Sequence, residues 1–169
     1  FFAYCPERII PGQMLKELAE NDRIIGGMDR HSAELAAAVY KELGDGHLHL
    51  TDDKTAEMVK LTENAYRDVN IAFANEMSML CKTSGLNVFE VIKLANHHPR
   101  VSILRPGPGV GGHCIAVDPW FIVSRDPANS RLIATARRVN DSKPHRVVEE
   151  TLAAADGTRS MRTATQARR

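Results

Sequence analysis

Residues 53–82 read DKTAEMVKLTENAYRDVNIAFANEMSMLCK, and neither proline nor glycine interrupts them. Apolar side chains recur on helical spacing through Met58, Leu61, Ala65, Val69, Ala72, Phe73, Met77 and Leu80. Thr51 or Asp52 can cap the start, and Gly85 stands just past the end. The stretch predicts one helix of about 30 residues, roughly 45 Å long at 1.5 Å per residue. That length is unusual in a compact domain and marks a spine connecting domains or subunits.

Upstream the period is different. Phe1–Tyr4, Arg23–Met28 and His47–Thr51 read as short strands, and Asp29–Leu43 as a helix with Ala and Leu on one side. The opening 50 residues therefore resemble the end of an α/β sheet. Downstream, Val88–Ala95, Pro119–Ser124 and Ala128–Val139 read as helices, with a Pro- and Gly-rich loop over Asn96–His113. Asn140–Pro144 is expected to break the chain, and Val147–Ala155 to start an element that then stops. The fold class expected is mainly α with a residual α/β portion. Residues 156–169 hold four arginines against Asp156 and few apolar side chains, and disorder is expected there.

The whole chain has 169 residues, 43% hydrophobic and 25% charged, with a formal charge of +1. That composition suits one packed cytoplasmic domain and argues against a dedicated nucleic-acid surface. No apolar run is long enough to cross a bilayer, and no signal-peptide pattern is present. A first residue other than Met, in what reads as mid-strand, suggests a segment of a longer protein. Cys5, Cys81 and Cys114 have no paired spacing, which argues for reduced thiols. No Cys/His grouping has zinc-ligand spacing, and no metal is expected. His47 and His49 read as surface residues of a strand.

Two segments carry candidate chemistry. In RPGPGVGGHC (residues 105–114) four glycines within six residues let a ligand reach main-chain N–H groups. The run ends at Cys114, ahead of a segment that can be helical. A thiolate is favoured at such a helix start, with His113 or a nearby Lys able to assist. The competing reading is a glycine turn and a buried Cys. No strand leads into the loop, so it is not a GxGxxG nucleotide motif. On the long helix, Lys60, Asn64 and Arg67 share one face at i, i+4 and i+7. They can meet a phosphate or an oxyanion, or they can be a solvated stripe balanced by Glu57, Glu63 and Asp68. His97–Arg100 is equally open.

Four ordered motifs resemble the UDP-glucose/GDP-mannose dehydrogenase family: CPERIIPG (5–12), KLTENAYRDVNIAFANE (60–76), PGPGVGGHCIAVDPWFIV (106–123) and ARRVNDSKP (136–144). The resemblance covers roughly residues 1–155. It implies the end of a Rossmann-type NAD domain at 1–52 and a helical central domain at 53–139 that forms a homodimer. It also implies, at 140–155, the lead-in to a C-terminal UDP-binding domain. The glycine fingerprint and acidic ribose ligand of the NAD domain are not in this sequence, so the chain alone is expected to be inactive. Relatives acting on UDP-glucose have a further Glu where Pro11 stands, which bars transfer of their hydrolytic base.

The implied reaction takes a sugar C6 alcohol to a carboxylate in two NAD-dependent steps, through a thioester on Cys114. The resemblance implies Lys60 as an oxyanion stabiliser or proton relay and Asn64 as the holder of the reacting oxygen or water. Asp118 would be a base or would orient Lys60. Arg8, Ile9, Arg67, His98, Arg100 and Gly111 match sugar-nucleotide contacts, alongside Lys60 and Asn64, with Arg100 reaching a neighbouring subunit's site. Glu7 and Cys114 would touch the NAD. The substrate implied is UDP-N-acetyl-D-mannosamine, with the N-acetylglucosamine isomer as the competitor, for cell-surface polysaccharide synthesis. Two other readings stand beside this one. A pure dimerisation module would not need the glycine-lined Cys. Dehydrogenases of the 6-phosphogluconate or hydroxyisobutyrate type need no nucleophilic Cys.

Overall fold

The computed structural model describes residues 1–166, and side chains as far as Asp156. The chain divides into two compact units, residues 1–63 and 64–169.

The first unit carries a three-stranded sheet in the order β1-β2-β3: β1 (Ala3–Tyr4), β2 (Arg23–Gly27) and β3 (Leu48–Asp52). β1 runs antiparallel to β2, pairing Ala3 with Gly27, and β2 runs parallel to β3, pairing Arg23 with Leu48. Parallel neighbours need a crossover, and α2 (Arg30–Lys41) supplies it. Asp29 caps α2 by accepting the Ser32 N–H at 2.6 Å. A short helix, α1 (Met14–Glu20), fills the stretch between the first two strands. Ile25 and Ala33 are buried in this unit.

The long helix, α3 (Asp53–Thr83), has 31 residues. Of the two candidate caps, Asp52 takes the role: its carboxylate accepts the Thr55 N–H at 2.9 Å and the Thr55 hydroxyl at 2.6 Å. At the far end the Leu86 N–H reaches the Cys81 carbonyl (2.8 Å) and the Gly85 N–H that of Lys82 (3.2 Å). Those two bonds close a Schellman turn. The boundary between the two units falls inside α3, after Glu63.

In the second unit α3 is followed by α4 (Val88–Ala95), α5 (Asp118–Arg125) and α6 (Arg131–Gln166). Two expectations need correction. Helix α6 does not stop at Asn140–Pro144 but runs through Pro144. The proline removes one helix hydrogen bond, and side-chain bonds from Arg137, Asn140 and Lys143 hold the turns that lead into it. The apolar positions expected on α3 divide between burial and exposure. Phe73 and Leu80 are about half exposed, whereas Ala65, Asp68, Ala72 and Asn75 are buried. At spacings of three and four these share one face, and it is small and polar because α6 bonds to it. Disorder was expected over 156–169, but α6 continues as helix to Gln166; residues 167–169 lie outside the described residues. Among the described residues no helix is long and apolar enough to cross a membrane.

Candidate functional site

Within the first unit, the Glu7 carboxylate accepts the backbone N–H groups of Arg8 (2.7 Å) and Ile9 (2.8 Å), fixing the turn that presents them. The Lys60 ammonium donates to the Glu7 carbonyl at 2.7 Å. Arg8 pairs with Glu63 at 2.9 Å and donates to the Asp22 carbonyl. Glu7, Arg8 and Lys60 thus form one cluster, joining residues that lie 53 positions apart.

The carboxyl ends of β2 and β3 border a cleft of about 330 Å³ lined by Met28, Asp29, Arg30, Thr51 and Asp52. Ligands of open α/β sheets bind at such ends, yet both helix N-termini here are occupied by their own carboxylates, Asp29 and Asp52. Those carboxylates sit below the usual range, held there chiefly by the Ser32 backbone N–H and the Thr55 hydroxyl. The glycines that end β2 leave no cradle. A Cβ on Gly27 would fall 2.4 Å from the Ala33 nitrogen, and one on Gly26 would fall 2.5 Å from the Ala56 Cβ.

The second unit holds the candidate nucleophile. Cys114 is exposed, whereas Cys81 is buried and burial pushes the half-buried Cys5 thiol up. The Cys114 carbonyl accepts the N–H groups of Val117 (3.1 Å) and Asp118 (2.8 Å). The thiol therefore stands one turn ahead of α5, which begins at Asp118. Asp118 is half-buried, and its carboxylate accepts the amide of the buried Asn64 at 2.6 Å. Cys114, Asp118 and Asn64 are thus linked through one turn and one hydrogen bond.

The loop's glycines do different jobs. Gly112 has φ +86°, which strains any residue with a side chain. A Cβ on Gly109 would meet the Pro144 ring at 2.7 Å, whereas one on Gly111 would meet nothing within 4 Å. Gly109 lets the loop rest on α6, and Gly111 faces open space. Arg67 is exposed on α3. His98 and Arg100 are exposed in a turn where the Arg100 N–H meets the His98 ring at 3.3 Å. Asn96 closes this segment by bonding both backbone groups of Ile103.

Behind the loop lies a layer whose role the sequence did not reveal. Asp68, read above as a solvated flanking charge, is 0% exposed. Its carboxylate accepts Arg137 at 2.5 Å and Asn140 at 2.8 Å. Arg137 also binds Asp141 and donates to the Ile115 carbonyl at 3.4 Å. Asn140 accepts the Asn75 amide (2.9 Å), and Asn75 in turn accepts the Gly107 N–H (2.9 Å). Burial pushes the Asp68 carboxyl up, while Asn140 and Arg137 pull it down. Nearby, Lys143 donates to Ser78 at 2.6 Å, and burial lowers its pKa from the ordinary lysine value. The signal available in the sequence was ARRVNDSKP, whose Arg137, Asn140 and Pro144 share one helix face.

Among the described residues no three His, Cys, Asp or Glu side chains converge as a metal site.

Residues 54–142 match the central domain of the UDP-glucose/GDP-mannose dehydrogenase family, and residues 2–44 match that family's NAD-binding domain. The UDP-N-acetyl-D-mannosamine dehydrogenase of Salmonella typhi is 62% identical over 152 residues, covering 90% of this chain and 36% of its own length. An NDP-N-acetyl-D-galactosaminuronic acid dehydrogenase of Ralstonia nicotianae is also 62% identical, over 153 residues, with the same coverage. The chain thus spans about a third of the length of these relatives. Among solved structures, a UDP-D-ManNAc dehydrogenase of Pyrococcus horikoshii superposes with a TM-score of 0.86 at 46% identity, covering 93% of this chain and 38% of that one. A UDP-N-acetyl-mannosamine dehydrogenase of Staphylococcus aureus gives 0.80 at 52% identity, covering 89% of this chain and 36% of that one.

Proposed function

Because the chain belongs to the UDP-glucose/GDP-mannose dehydrogenase family, we propose that the full-length protein carrying it is an NAD-dependent UDP-sugar 6-dehydrogenase, with Cys114 as its nucleophile. One observation carries this reading. An exposed thiol heads the turn into α5, and the carboxylate one turn on is gripped by a buried amide. A packing cysteine needs neither the exposure nor the gripped carboxylate.

In this reading the sugar C6 alcohol loses a hydride and a proton to become an aldehyde. The Cys114 thiolate adds to the aldehyde carbon, and the oxygen takes up negative charge as a thiohemiacetal. Loss of a second hydride leaves a thioester, and water displaces the thiol to release the carboxylate. Lys60 stabilises the oxygen's charge or relays its proton, a role suited to an ammonium held in place by a carbonyl. Asn64 holds the reacting oxygen or water, and Asp118 takes up a proton. Arg8, Arg67, His98 and Arg100 offer donors to the sugar nucleotide, Ile9 adds an apolar contact beside Arg8, and the open space at Gly111 admits the ligand to the backbone.

NAD takes up the hydrides. The described residues do not build a cradle for its diphosphate, because Asp29 and Asp52 occupy the available helix N-termini and the glycines ending β2 are packed. Glu7 is the acidic contact this chain can contribute. On this reading residues 1–52 end the NAD domain and 53–139 form the central domain. Residues 140–155 lead to the domain that binds UDP, and the full-length protein works as a cytoplasmic homodimer that makes a polysaccharide precursor.

The sugar assigned is UDP-N-acetyl-D-mannosamine, supported by the Salmonella, Pyrococcus and Staphylococcus relatives. The equal identity of the Ralstonia relative supports a galacto-configured alternative. Assaying the full-length protein against both UDP-sugars decides between them. Replacing Cys114 with Ala is expected to cut turnover about a thousand-fold or more while KM changes little. Cys114→Ser is expected to stall as a covalent sugar ester, visible as added mass on the peptide holding residue 114. Uronate production at the normal rate by Cys114→Ala would end the nucleophile assignment.

A further inference from the structure

We infer that Asn75 is a positioning residue for the Cys114 loop: it ties Gly107 to α3 and is itself fixed by Asn140 of α6. The inference rests on the reading of Cys114 as the nucleophile and adds a second pair of residues to it. Asn75 is wholly buried on the face that α3 turns to α6. Its amide oxygen accepts the Gly107 N–H at 2.9 Å, while its amide nitrogen donates to Asn140 at 2.9 Å. The two bonds fix the amide's orientation, since a flipped amide would set donor against donor at Gly107 and acceptor against acceptor at Asn140. Asn140 cannot turn to compensate, because its own amide nitrogen donates to the Asp68 carbonyl at 3.0 Å and carboxylate at 2.8 Å. The far end of the loop is held by the same layer through Arg137 and the Ile115 carbonyl. Residues 107 and 115 therefore bracket Cys114 and are both pinned to one rigid set of buried amides and charges. The exposed residues between them, Gly111 to Cys114, take their position from those two anchors. Asn75 touches no reacting atom in this scheme. It acts through the loop.

The test uses the full-length protein. Asn75→Ala is expected to lower kcat at least tenfold with KM for the UDP-sugar within about twofold. Amide exchange over residues 104–114 should quicken, while alkylation of the buried Cys81, on the same helix, stays slow. Gly107→Pro deletes the donor from the loop side and should reproduce the kcat loss without touching the helix pair. Lys143→Met removes a different bond between α3 and α6, the one to Ser78, and should leave kcat within twofold. Unchanged exchange and kcat in Asn75→Ala and Gly107→Pro would overturn the inference. So would a parallel rise in Cys81 alkylation, which would mark general loosening. If Cys114→Ala proves active, the nucleophile reading fails, whereas the exchange data still decide the tether.

Discussion

The glycine loop and the layer behind it, both in the second unit, divide the work between them. The loop carries an exposed thiol and open backbone, and it holds little that would fix its own shape. The layer of Asp68, Asn75, Arg137 and Asn140 is almost wholly buried and closed to any ligand, yet its bonds run out to Gly107 and Ile115. Exposure and rigidity thus sit on different residues. Under the proposed function, Gly111 to Cys114 must stay open to a sugar nucleotide, so their placement draws on buried polar bonds and on the rest of Gly109 against Pro144.

The sharpest way to break that division is to remove the layer's charge pair from one side. Arg137→Ala leaves the Asp68 carboxylate buried without its cation and is expected to cost about 3–5 kcal/mol of stability, measured by urea unfolding. Replacing both partners, as Asp68→Leu with Arg137→Met, removes the stranded charge and should recover much of that loss. A double variant as unstable as the single one would show that the layer acts by shape. In contrast, Arg67→Ala on the exposed face should change stability by no more than about 0.5 kcal/mol.

A smaller effect separates two glycines of the same loop. Gly109→Ala drives a methyl into the Pro144 ring, which cannot swing aside, and should cost about 1–3 kcal/mol. Gly111→Ala meets open space and should leave unfolding unchanged while raising KM for the UDP-sugar, because the methyl intrudes where the ligand would lie. Equal unfolding midpoints for the two variants would mean that Gly109 does not rest on α6.

What could be read from the sequence follows the same division. The strands, the helix over 29–43 and the spine helix were visible because period and capping are local signals. Asp52 and Gly85 marked the ends of α3 within a residue or two. Cys114 and Lys60 stood out as candidates because residue type and motif mark them. Asp68 was misread because a charge on a helix surface looks the same whether it faces water or a buried arginine 69 positions away. Pro144 was misread for a related reason: its local preference to end a helix is outweighed by bonds from Arg137, Asn140 and Lys143, which only the fold brings to α3. Asn75 gave no sign at all, since its partners lie 32 and 65 positions away.

The smallest effect concerns a bond between α3 and α6 that lies at the surface. Lys82 meets Glu150 at 2.7 Å, and both side chains are substantially exposed. The Lys82 ammonium, with Arg146 second, holds the Glu150 carboxyl below its ordinary value. The native state therefore binds this proton less readily than the unfolded chain does. The contribution is complete above the ordinary glutamate pKa and is lost over the window in which pH falls toward the lowered one. Lys82→Met should make the fall in Tm across that window slightly shallower in scanning calorimetry and leave Tm at pH 7 almost unmoved. A background slope remains in the variant, because Asp29, Asp52 and Asp126 are lowered by their own local hydrogen bonds, not by Lys82. Solvent screening keeps the change small. A drop at pH 7 as large as that of Arg137→Ala would mean that the exposed bond holds α3 to α6 as firmly as the buried layer, and the division between the two would not stand.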